Sequence, residues 1–94
     1  MEKELTGVTD DQFTDELLRR EAARAWELNQ SGIFREMYFR SDRREAVLIL
    51  ECPTKEEAQQ ALSSLPLVQS ELIAFEIIPL EPYDGFARLF KSPA

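Results

Sequence analysis

Ninety-four residues make one small domain, in which folding buries about 60–65% of the surface that an extended chain exposes. A net charge of −7 sets the chain against a phosphate backbone or an anionic membrane surface as its main partner, and no segment has the apolar length to span a bilayer. With 44% hydrophobic residues the chain is globular rather than disordered, and the absence of histidine removes the commonest general base and metal ligand, so no metal is expected.

Residues 1–8 lack the apolar run of a signal peptide and read as a flexible lead-in. Thr9-Asp10-Asp11-Gln12 has the form of a capping box and predicts a helix start there. Phe13, Leu17, Ala25 and Leu28 then recur at helical spacing, with Leu18, Ala22 and Trp26 widening the stripe. Ser31-Gly32 ends the helix, glycine taking the left-handed cap. The apolar runs 33–40 and 45–52, joined by the polar Ser41-Asp42-Arg43-Arg44, predict a hairpin. Cys52, the sole cysteine, permits no internal disulfide and suits a reducing compartment; a cytoplasmic protein is expected. Thr54 and Glu57 open a second helix whose stripe is Ala58, Ala61, Leu62 and Leu65, and Pro66 stops it. A last strand is predicted over Leu72–Leu80, limited by Pro79 and Pro82, and 86–94 forms a tail.

The order helix-strand-strand-helix-strand is the ferredoxin-like α+β pattern, β-α-β-β-α-β, with its first strand missing. That strand belongs in the middle of the sheet, between the third and fourth, so its loss leaves two edges facing a gap. Three occupants are open: residues near Leu5 to Val8, a strand from a partner chain, or residues upstream of Met1.

Trp26 with Gly32-Ile33-Phe34-Arg35-Glu36, the Leu65-Pro66-Leu67 stop and the closing Phe75-Glu76-Ile77-Ile78-Pro79-Leu80 together resemble the muconolactone isomerase-like family of dimeric α+β barrel proteins. The likeness covers about Thr9 to Phe90. It implies a homodimer or larger homo-oligomer whose sheets face each other, binding a small organic acid or lactone, and a cofactor-independent proton shift within it. The chain departs from the family pattern in having no histidine, Glu36 following the matched Arg35, and in having no evident first strand.

A four-residue hairpin loop places Arg40 opposite Glu45, Tyr38 opposite Val47, Glu36 opposite Ile49 and Phe34 opposite Glu51. The other face then carries Met37, Phe39, Ala46, Leu48 and Leu50, suited to covering helices. Glu36 is the candidate proton carrier, because a carboxylate in an apolar cavity is held closer to neutrality. Tyr38 is the candidate donor to a developing enolate, and Arg35 the candidate carboxylate clamp if a strand twist or bulge turns it inward. Phe34, Ile49, Glu51, Glu76 and Tyr83 complete the candidate binding set. The opposing reading makes Arg35 and Glu36 solvated edge-strand charges. On it the chain is a non-catalytic binding or assembly module; a cofactor-free oxygenase is a third possibility on the same scaffold. The isomerase reading expects Glu36 in a concave, desolvated site.

Overall fold

The computed structural model describes residues 1–3 and 5–90; Glu4 and the end of the expected tail, 91–94, lie outside the described residues. The elements are β1 (Glu2–Lys3), α1 (Asp15–Gln30), β2 (Phe34–Phe39), β3 (Ala46–Leu50), α2 (Lys55–Ser63), α3 (Pro66–Gln69) and β4 (Ala74–Phe75), with 3-10 turns at Asp10–Gln12 and Gly85–Leu89. This is the expected α+β arrangement.

The first-strand position is entered by Glu2 and Lys3. They pair antiparallel with Phe75 and Ala74 of β4, and the Ala46 N–H of β3 donates to Glu2 Oε1 at 2.9 Å. A side chain thus stands where a main-chain ladder between β1 and β3 would run. Two polar residues carry no strand pattern, so the sequence pointed instead to residues near Leu5 to Val8, which form no strand. The β4 ladder is correspondingly short. Met1 and Glu76 exchange main-chain hydrogen bonds, after which residues 77–80 run extended with no main-chain partner among the described residues. The strand expected over Leu72–Leu80 therefore reduces to two residues.

The capping box at Thr9 is present, the Thr9 N–H donating to Gln12 Oε1 at 2.8 Å, but it closes only a 3-10 turn. The helix begins later, because Thr14 competes as N-cap: its Oγ1 accepts from the Leu17 N–H at 3.2 Å, with Asp15 and Glu16 at the positive end of the helix dipole. The buried stripe of α1 is narrower than expected. Leu28 is buried and Leu17 and Ala25 half-buried, while Leu18, Ala22 and Trp26 face solvent, Trp26 at 63% exposure.

Two helix ends close with the same hydrogen-bond pattern. After α1, Gly32 at φ 87° lets the Gly32 N–H reach Asn29 O and the Ile33 N–H reach Leu28 O, both at 3.1 Å. After α3, Glu71 at φ 58° does the same toward Val68 O and the Leu72 N–H toward Leu67 O, both at 3.0 Å. Both are Schellman caps, and the apolar residues on the two sides of each turn share a core cluster: Leu28 and Ile33 in one, Leu67 and Leu72 in the other. Pro66, expected as a plain stop, sits at the first position of α3, where its missing N–H costs nothing.

One core cluster joins Leu28, Phe34, Ala61, Leu62 and Leu65, with Leu48, Leu50 and Phe75 packed against it. A second joins Leu67, Leu72 and Ile73 with Phe13 and Leu17. The helices cover only the base of the hairpin. Met37 and Phe39, expected beneath helices, are exposed, and the Arg44 guanidinium lies 4.2 Å over the Phe39 ring.

Candidate functional site

Glu36 and Tyr38 stand two apart on β2 and so share one face of the strand. The Tyr38 hydroxyl donates to Glu36 Oε1 at 2.6 Å. That bond to a carboxylate, and then the carboxylate's charge, push the Tyr38 pKa above its ordinary value, so the phenol keeps its proton. Across the ladder Val47 faces Tyr38 and Ile49 faces Glu36, as the hairpin loop required. The two candidate catalytic groups therefore meet, against two aliphatic neighbours.

The register breaks below them. Phe34 lies opposite Leu50 rather than Glu51, because Arg35 is an extra residue bulged out between Phe34 and Glu36. The bulge changes the phase of the strand, turning Phe34 onto the helix side, where it is 0% exposed. Phe34 is thus a core plug and not part of the open face. Arg35 pairs with Glu51, Nε to Oε2 at 3.3 Å, and both side chains stay largely exposed. An ion pair so open is worth little and exchanges readily for another carboxylate.

Glu36 and Tyr38 are exposed in the single chain, so the desolvation expected for Glu36 is not supplied by its own fold. An apolar cavity lies elsewhere: a slot of about 460 Å³ between β3 and residues 75–80, lined by Val47 to Leu50, Cys52, Phe75 and Ile77, with Lys55 and Thr54 also in its lining. Of the candidates, Ile49 and Glu76 line it. Tyr83 stands apart beyond the strand, its ring edge-to-face with Phe86 at 5.0 Å. The set chosen from sequence thus divides among the outer face of β2, the core, the slot and the segment beyond it.

Two carboxylates outside the candidate set, Glu2 and Glu21, are half-buried; Glu21 belongs to the alternating charges of α1 that the sequence assigns to a solvated face. Glu21 Oε1 accepts from the Leu67 N–H at 2.9 Å and so caps α3. Burial raises its pKa, opposed by that hydrogen bond and reinforced by the charge of Glu2. Glu2 is raised likewise, by burial first, with the Ala46 N–H opposing and Glu45 adding. Glu21 had a signal: it falls four residues after Leu17 and four before Ala25, inside the apolar stripe. Glu2 had none. Burial and then the charge of Glu57 raise the Cys52 pKa above its ordinary value, which favours the thiol over the thiolate.

At the hairpin tip Arg40 clasps Asp42 with Nε to Oδ1 at 2.9 Å and Nη2 to Oδ2 at 2.5 Å, and Arg43 pairs with Glu45. These charges satisfy one another. Among the described residues no group of three or more acidic, cysteine or histidine side chains is placed to hold a metal ion, and no helix is long and apolar enough to cross a membrane.

No curated protein matches the chain. The family model described as muconolactone delta-isomerase matches residues 1–85, nearly the whole length, and the chain belongs to that family.

Proposed function

We propose that the chain is a cofactor-independent isomerase that shifts a proton within a small unsaturated acid or lactone, working as a homo-oligomer. The observation that carries this reading is the Tyr38–Glu36 hydrogen bond at 2.6 Å on a face whose cross-strand neighbours are Val47 and Ile49. Glu36 as carboxylate takes a proton from an allylic carbon at one end of the system conjugated with the substrate carbonyl. The C–H electron pair moves into the conjugated system as an enolate, and Glu36 returns the proton to a carbon further along, so the double bond migrates with no change in composition. Tyr38, held protonated, turns its hydroxyl from Glu36 to the enolate oxygen. Arg35 exchanges Glu51 for the substrate carboxylate. In this reading a second copy covers the face and removes water from Glu36.

The test is double-bond migration in muconolactone and related unsaturated lactones, followed by ultraviolet absorbance. Glu36→Gln is expected to lower kcat by about 10²–10⁴-fold with the oligomer intact. Turnover unaffected by that change, or none in the parent protein, overturns the assignment. The second reading, a non-catalytic binding or assembly module, is favoured by the exposure of Glu36 and Tyr38, neither of which lines the slot. It predicts ligand binding without turnover.

A further inference from the structure

The chain is long and thin for its size. Its radius of gyration is 16.9 Å and its extents are 64 × 29 × 21 Å, where a compact domain of this length has a radius near 12 Å. Part of the excess is the segment 81–90, which leaves the body beyond the slot and makes no main-chain hydrogen bond to it among the described residues. Tyr83, Phe86, Leu89 and Phe90 on this arm are 72%, 66%, 74% and 85% exposed. Large apolar side chains presented in series to water mark a surface that expects cover.

The same chain holds the complementary feature. The Ala46 N–H points away from β2, toward Glu2, and strand alternation puts the main-chain groups of Leu48 and Leu50 on that same edge. No strand pairs with that edge. Opposite it, residues 77–80 are likewise unpaired, and between the two lies the apolar slot. In the slot lining Lys55 has no carboxylate partner among the described residues, and neither Glu81 nor Asp84 on the arm has a cation.

We propose that the arm 81–90 of one copy docks across the slot of a second copy, reciprocally, with Glu81 or Asp84 meeting Lys55. Surface and counter-surface lie on one chain, so a twofold pair satisfies both at once. The apolar area on two arms is on the order of 1,200–1,500 Å², enough for a specific interface. The inference rests on the homo-oligomer proposed above and adds which segments meet.

Cys52, in the slot lining, supplies a built-in probe. In the full chain carrying Tyr83→Cys, mild oxidation is expected to give a covalent dimer whose linked peptide joins Cys52 to position 83. It should disappear when Cys52→Ser is added. A monomeric product with that same link, a dimer linked only between identical positions, or no link at all overturns the proposal. Independently, Phe86→Glu is expected to weaken self-association at least tenfold in sedimentation, with circular dichroism unchanged; unaltered association overturns it. Turnover carried by Glu36 alongside an intrachain link rejects the arm and leaves the isomerase standing. An interchain link without turnover does the reverse.

Discussion

The two halves of the strand layer, each a separate two-stranded sheet, are built by different means. The β2–β3 half is a hairpin with cross-strand partners from Phe34 to Phe39, and Phe34 plugs it into the larger core cluster. The β1–β4 half has two residue pairs, a carboxylate in place of a ladder toward β3, and a separate cluster around Leu67, Leu72 and Ile73. One half is secured by buried apolar volume. The other combines a smaller apolar cluster with polar groups taken partly out of water, which gain a hydrogen bond but lose hydration.

Phe34→Ala should break the stronger half. Removing a fully buried aromatic ring costs about 3–5 kcal/mol, a large part of what a domain this small possesses. Urea unfolding should show the loss in its midpoint; a loss below about 1 kcal/mol would mean that Phe34 does not seat the hairpin. Glu71→Gly should sharpen the contrast in the opposite direction. Glu71 holds the left-handed conformation that Gly32 holds at the other Schellman cap, at a conformational cost of about 1 kcal/mol that glycine avoids. A gain near that size in thermal unfolding is expected, and a loss would show that the glutamate side chain contributes more than its backbone costs.

The smallest effect concerns Glu21. Its pKa is raised in the fold, so its proton is favoured by folding: that contribution is present below the ordinary carboxylate range and is lost as pH rises through the raised value. At neutral pH the ionised group therefore weighs against stability. Glu21→Gln keeps an acceptor for the Leu67 N–H and removes the charge, and should stabilise by ~0.5 kcal/mol at pH 7 after allowance for solvent. The gain should fade below about pH 4. A constant gain across that range would place its origin in packing.

The same contrast divides what the sequence made legible. The stripe of α2, the left-handed Gly32 and the pairing of Glu36 with Ile49 follow from spacing, because burying apolar side chains enforces a period. Glu2–Lys3 has no period to read; it is held by main-chain pairing and one side-chain acceptor. Thr9 and Thr14 each offer a helix start, and only the tertiary position of Phe13 and Leu17 selects between them. Pro66 fits a stop and a first position equally well in one dimension. The meeting of Glu36 and Tyr38 was readable from a two-residue spacing, whereas the phase of Phe34 turned on a single bulged residue.

That residue has a bearing on how the strand tolerates change in length. Arg35 faces no partner across the ladder, so a chain lacking it still sets Phe34 against Leu50 and Glu36 against Ile49. Loss of Met37 would instead invert every position on one side of the break, drawing the charged face toward the helices. Among related sequences, a one-residue gap at this site leaves both faces of the hairpin as they are, and the same gap two residues later exchanges them.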